Sequence, residues 1–150
     1  MKKQRPESGV ELPERLKRQT SLLLNHATSQ ANRIVSQHFD GPGGRMHYAL
    51  LAGLEEFGTI GQAELCDRIG IDRGDAVAAL TTLESNHFVR RRPDPRDGRR
   101  NIVEITDPGQ ARLRELDTMV DAAQNELAAS LSAAEHRQLV ALLTKLMELG

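Results

Sequence analysis

One stretch constrains this chain more than any other: residues 90–106, RRRPDPRDGRRNIVEIT. Pro93, Pro95 and Gly98 interrupt regular structure at its centre, and the Ile102-Val103-Glu104-Ile105 run that follows is β-branched in the way strands are. The two halves are expected to fold back on each other as a hairpin. Its tip gathers Arg90, Arg91, Arg92, Arg96, Arg99 and Arg100 against Asp94 and Asp97, which leaves a charge of +4 on one protrusion in a chain whose net charge is -1. Focused positive charge suits phosphate recognition. The competing reading is a solvated, arginine-rich loop, and the surrounding chain has to decide between them.

Aromatic residues are 3% of the 150 and there is no Trp, so the core must be built from Leu, Ala, Ile and Val, which favours packed helices over a β-sandwich. The one cysteine, Cys66, excludes an internal disulfide and fits a reducing compartment. No apolar run reaches the 18 residues a membrane span needs, and the start, MKKQRPESG, is charged with no apolar segment behind it. The expectation is a cytoplasmic protein. Positive charge is concentrated in the N-terminal arm and the hairpin, so a focused nucleic-acid contact fits better than a diffuse polycation.

In chain order, residues 1–11 carry no apolar period and read as a flexible arm. Residues 12–39 read as one long helix, with Leu12, Leu16, Leu23, Ala27, Ala31, Ile34 and His38 at helical intervals. Such a helix would measure about 42 Å, more than a small domain needs, so part of its face is expected to pack on another subunit. Asp40-Gly41-Pro42-Gly43-Gly44 stops it. Residues 46–57 form a second helix with Ala49, Leu50, Gly53 and Leu54 inward, and residues 62–69 a short third one using Ala63, Leu65, Cys66 and Ile69. Gly70-Ile71-Asp72 then turns into a fourth helix at 73–86, with Asp72 as N-cap and Asp75 three residues on. Short helix, glycine turn, capped helix is a helix-turn-helix.

The fourth helix sorts into two faces. Ala76, Ala79, Leu80 and Leu83 belong to the core, while Gly74, Asp75, Val77, Ala78, Thr81, Thr82 and Ser85 make a slim outer surface, poor in Lys and Glu and suited to docking. After the hairpin, Thr106-Asp107-Pro108 opens a fifth helix with Ala111, Leu113, Leu116, Met119, Val120, Ala123 and Leu127 along one stripe. Ser132 to Glu135 is a capping box opening a sixth, whose Leu139, Leu142, Leu143, Leu146, Met147 and Leu149 spread too widely for one neighbour to cover. The two ends of the chain therefore predict a helical dimerisation region.

Helix-turn-helix plus a basic hairpin is a winged helix, and here the chain resembles the MarR family of transcriptional regulators. The resemblance runs through Ile60-Gly61-Gln62-Ala63-Glu64-Leu65, Gly70-Ile71-Asp72-Arg73-Gly74, Leu83-Glu84 and Phe88-Val89-Arg90-Arg91, into the wing Asp94-Pro95-Arg96-Asp97-Gly98-Arg99-Arg100 and on to Ile105-Thr106 and Gly109. The family's D-P-x-D-x-R wing followed by L-T-x-x-G is almost intact. Where the family often has glycine before the wing this chain has His87, and its frequent Thr-Arg or Ser-Arg pair in mid recognition helix is Val77-Ala78. The second-helix entry, often L-T-x-x-Q, reads Gly44-Arg45-Met46-His47.

The resemblance implies a mainly α fold with a small β-wing: one domain over residues 1–150, a winged-helix lobe at about 45–106 and dimerisation helices at about 12–39 and 108–149. It implies a homodimeric repressor on a pseudo-palindromic double-stranded DNA operator, released by a small anionic aromatic effector. Arg99 would enter the minor groove, held by Asp97. Arg73, Arg96, Arg100 and Arg91 are further candidate DNA contacts. Asp75 could accept from cytosine or simply cap its helix, Val77 or Ala78 could meet a thymine methyl, and Thr81, Thr82 and Gln62 could hold the backbone. Candidate effector-lining residues are His26, Arg45, His47 and Tyr48. The family's peroxide-sensing branch has its cysteine near the start of the first helix and none lies there; Cys66 is expected to be an inert buried thiol. His26, His38 and His47 lack a compact metal-ligand spacing, and no cofactor, metal or enzymatic motif is expected. The rival to a DNA-binding regulator is a winged helix used for protein contacts, which would not need an arginine-tipped wing.

Overall fold

The structure is a computed structural model and describes residues 10–39 and 44–148. The expected arm up to Gly9, the stop at 40–43 and Leu149 lie outside the described residues. Among the described residues there are six α-helices and a three-stranded antiparallel sheet in the order β1-β3-β2. They are α1 Thr20–His38, α2 Gly44–Phe57, β1 Ile60–Gly61, α3 Gln62–Ile69, α4 Arg73–Ser85, β2 Val89–Asp94, β3 Asp97–Ile105, α5 Asp107–Leu127 and α6 Ala133–Leu146. Among the described residues no helix is long and apolar enough to cross a membrane.

The first helix is shorter than its periodicity implies. A 3-10 turn at Leu16–Arg18 is cut off from α1 by Gln19, whose backbone is extended (φ -97°, ψ 108°). The cause is visible in the residues: Lys17-Arg18-Gln19-Thr20-Ser21 offers no apolar side chain to anchor a turn between Leu16 and Leu22. Helices this marginal depend on packing rather than propensity. Nineteen residues span about 28 Å, so the 42 Å rod is replaced by a helix with a separate N-terminal turn. Gly44, expected to be part of the stop, is instead the first residue of α2.

The remaining elements follow their sequence signals closely. Gly70 adopts the left-handed conformation at φ 71° and closes α3, its N–H returning to Cys66 O. Asp72 then caps α4 by accepting from the N–H groups of Gly74 (2.8 Å) and Asp75 (3.1 Å). Ala76, Ala79, Leu80 and Leu83 are buried while Gly74, Asp75, Val77, Ala78, Thr81, Thr82 and Ser85 are exposed, as the two-faced reading requires. Leu50, Leu51 and Leu54 of α2, Leu65 of α3, Leu80 and Leu83 of α4, Val103 of β3 and Leu113 and Leu116 of α5 make one core. Leu51 joins that core although the sequence reading left it out, whereas Ala63 and Ala111, expected inward, are exposed. Strand β1 also went unanticipated; it pairs Ile60 with Val103 and ties the helix-turn-helix to the hairpin.

The hairpin joins to α4 through a strained corner. His87, which stands where relatives often have glycine, sits at φ 63°, in the left-handed region where a side chain costs energy. His87→Gly is therefore expected to stabilise the chain by about 1 kcal/mol, the strain relieved less the entropy glycine loses. A melting temperature raised by about 2–4 °C is the readout; an unchanged or lower one would contradict the strain.

The two ends of the chain differ in how they are held. α1 meets α5 through the His38 Nε2–Glu126 Oε2 contact at 2.5 Å, and α5 meets α2 through the Arg114–Glu55 ion pair. Helix α6 opens with the expected capping box, Glu135 N to Ser132 Oγ at 3.2 Å and Ser132 N to Glu135 Oε1 at 3.1 Å. It has no buried residue: Leu139, Val140, Leu142, Leu146 and Met147 are 43–59% exposed.

Candidate nucleic-acid interface

The wing is closed by its own carboxylates. Asp94 pairs with Asp97 across a tip of Pro95 and Arg96, and Asp94 Oδ1 accepts from Arg96 N at 2.9 Å. Asp97 Oδ1 accepts from Arg99 N and from Arg99 Nε, each at 3.1 Å, and Asp97 Oδ2 lies 3.7 Å from Arg100 Nε. The Arg99 guanidinium, with help from its backbone N–H, holds the Asp97 carboxyl below its ordinary range. Arg99 itself is 91% exposed in its side chain, so the pair aims a charge outward without burying it. In solvent such a contact is worth little to stability; what it limits is the freedom of Arg99.

Two further carboxylates do the same for neighbouring arginines, and neither was singled out from the sequence. Asp67 of α3 takes Arg73 in a two-pronged bond, Oδ1 to Nε at 3.0 Å and Oδ2 to Nη2 at 2.5 Å. Glu84 of α4 accepts from both the backbone N–H of Arg91 (3.0 Å) and its Nη2 (3.0 Å), and the same Nη2 reaches Thr81 Oγ1 at 3.2 Å. Arg91 is only 17% exposed in its side chain. It is thus placed as a clamp between β2 and α4 rather than as a free cation. Asp67 and Arg73 are six positions apart and Glu84 and Arg91 seven, so neither pair has the i,i+3 or i,i+4 spacing of a helix ion pair; only the bidentate habit of arginine toward carboxylates hints at them.

Between the N-terminal ends of α3 and α4 and the wing lies an open groove of about 670 Å³, lined by Gln62, Ala63, Arg73, Val77, Arg99 and Arg100 among others. The Gln62 Oε1 atom is buried there without a hydrogen-bond partner among the described residues. Of the residues singled out for DNA contact, Gln62, Arg73, Val77, Arg99 and Arg100 meet in this groove. Asp75, Ala78, Thr81 and Thr82 extend the exposed face of α4, and Arg96 stands at the wing tip.

The four effector candidates are not joined in this way. His26 and Arg45 are exposed, Arg45 bonding Asn32 at 2.5 Å, while the Tyr48 hydroxyl donates to Asp117 at 3.0 Å. His47 is half-buried, and that burial, with Arg112 nearby, pushes its pKa down. Cys66 is 1% exposed, and burial pushes its thiol up, away from the reactive thiolate. No group of three metal-ligating side chains comes together among the described residues.

A capped helix beside a cationic β-wing, with a shared groove between them, defines a winged helix-turn-helix DNA-binding protein. The chain matches the sequence profile of the MarR family of transcriptional regulators over residues 44–100, the span that holds this interface. It is 32% identical over 106 residues to the transcriptional repressor NicR of Pseudomonas putida, covering 69% of this chain and 65% of NicR. The match spans 59–71% of the lengths of the curated relatives compared. Among solved structures, a mutant MarR from E. coli complexed with operator DNA superposes with a TM-score of 0.70 at 25% identity, over 84% of this chain and 91% of that one. BpsR of Bordetella bronchiseptica, whose DNA binding is regulated by 6-hydroxynicotinic acid, shares the fold with a TM-score of 0.78 at 20% identity, over 92% of this chain and 99% of BpsR.

Proposed function

We propose that the protein is a homodimeric repressor that binds a pseudo-palindromic operator, α4 entering the major groove and Arg99 the adjacent minor groove. The observation that carries this reading is the Asp97–Arg99 pair: a cation 91% exposed, aimed by a carboxylate, at the far edge of a groove that α3 and α4 also line. A narrow minor groove concentrates negative potential where such an arginine would lie. Arg73, Arg96 and Arg100 supply phosphate contacts, Gln62 and the nearby α3 amides hold the backbone, and Asp75 and the outer residues of α4 face base edges. Arg91 supports the interface through Glu84.

The exposed apolar run on α6, Leu139 to Met147, supports dimerisation through the ends of the chain, since a face of that kind is seldom left in water. Two lobes related by a two-fold axis would read half-sites about 10 bp apart. Release by an anionic aromatic compound is part of the proposal; the half-buried His47 near Arg112, between the helical frame and the lobe, is the feature that favours it.

The test uses DNA from upstream of the protein's own gene. Titrating it against an unrelated duplex while following mass by sedimentation should give a dimer-to-duplex complex, tighter on the upstream DNA, with affinity falling by orders of magnitude from low to moderate salt. Equal affinity for both duplexes at every salt concentration would defeat the sequence-specific reading. A monomer on DNA would defeat the dimeric one.

A further inference from the structure

The outer face of α4 is chemically lopsided. Thr81 Oγ1 donates to Val77 O at 2.8 Å, Thr82 Oγ1 to Ala78 O at 3.1 Å, Ser85 Oγ to Thr81 O at 2.9 Å, and Asn86 Nδ2 to Thr82 O at 2.8 Å. The flanking arginines are held at the margins of this face, Arg73 by Asp67 and Arg91 by Glu84 and Thr81. Every hydroxyl proton in the middle of the helix is therefore turned back onto the helix's own carbonyls. What faces outward is hydrocarbon and acceptor oxygen: the 48% exposed Val77, the Ala78 methyl, the threonine methyls, and hydroxyl oxygens able only to accept.

Base edges in the major groove sort themselves against such a surface. Guanine offers only acceptors there, N7 and O6, and finds no donor on the outward face of the helix's middle. Thymine offers its C5-methyl with an O4 acceptor, and cytosine an N4 donor without a methyl. Cytosine methylated at C5 combines the two features that this face can use, a methyl for Val77 and Ala78 and an N4–H for a threonine oxygen. We propose that α4 reads C5-methyl groups of pyrimidines, so that its half-sites are thymine-rich and methylation of cytosines facing the helix strengthens binding. The inference rests on the DNA-binding reading above and adds what the recognition helix selects.

Burying one methyl is worth about fourfold in affinity, from the transfer free energy of a methylene-sized group. The experiment selects duplexes from a random pool with the full-length protein. It then remakes the recovered sequence with deoxyuridine for each thymidine, or with 5-methyldeoxycytidine for each deoxycytidine, and measures affinity by fluorescence anisotropy. At pyrimidines facing α4, removing a thymine methyl should weaken binding about fourfold and adding a cytosine methyl should strengthen it about fourfold. Val77→Ala, at an exposed position, should shrink both effects while keeping the salt dependence. Tight, salt-dependent binding indifferent to both modifications would overturn the methyl reading and leave the regulator intact. Recovery of no duplex above background would overturn both.

Discussion

Replacing Gly109 with alanine is expected to destabilise the fold by about 3 kcal/mol, although alanine is ordinarily the better helix residue by about 0.5–1 kcal/mol. The sign is reversed by a contact. A Cβ on Gly109 would lie 2.0 Å from the carbonyl oxygen of Phe88, and 2.9 Å from both Phe88 C and Ile105 Cγ1. That carbonyl cannot swing away cheaply, because it accepts from Thr106 N at 3.1 Å. Thr106 is itself fixed as the α5 cap, donating through its hydroxyl to His87 O at 2.5 Å and accepting from Gly109 N at 3.1 Å. Relief thus requires either opening the junction between β2, β3 and α5 or losing the cap. Overpacking costs about 1–3 kcal/mol and a lost cap about 1. Urea denaturation of wild type and variant measures it; a loss below about 1 kcal/mol would show that the junction yields more easily than its hydrogen bonds imply.

Arg99→Ala should leave stability nearly unchanged and reduce operator affinity at least 30-fold. The side chain is exposed and its ion pair with Asp97 is a surface one, so folding loses little. On DNA each specific arginine contact is worth about 1–3 kcal/mol, and the proposed dimer would lose two. Two fewer charges in the groove should also flatten the slope of log affinity against log salt by about 2. Asp97→Ala separates aim from charge: it keeps the cation but frees it, so affinity should fall by a smaller factor while the slope is kept or steepened. If Arg99→Ala changes neither affinity nor slope, the wing does not enter the groove.

What the residues disclosed in advance was mostly what short-range chemistry controls. Gly70, Asp72, Thr106 and Ser132 are local signals, and α3, α4, α5 and α6 begin or end where they act. The division of α4 into a buried and an outer face followed from spacing alone. Long-range pairing was not legible. Strand β1 is two residues whose partners, Ile102 and Val103, lie some forty positions away, so no local pattern marks it. Helix α1 misled because Leu12 and Leu16 keep the period across a polar stretch that the helix does not bridge. At the interface, arginines could be recognised as a group, but not which carboxylate each one takes. Asp67 and Glu84 look in the sequence like ordinary surface acids, and only the turn of α3 against α4 and of β2 against α4 brings them to Arg73 and Arg91.

The Glu84–Arg91 clamp bears on the spacing between the proposed DNA contacts. By tying the wing's first strand to the last turn of α4, and by drawing Thr81 into the same cluster, it makes hairpin and helix one stiff caliper. A caliper has a fixed gap. In the proposed complex, the distance along the duplex between the bases under α4 and the minor-groove step under Arg99 would then be a property of the protein, and a base pair inserted between them would rotate one jaw by about a tenth of a turn out of phase. Loosening the hinge, and not adding contacts, is what would let the same side chains accept the longer spacing.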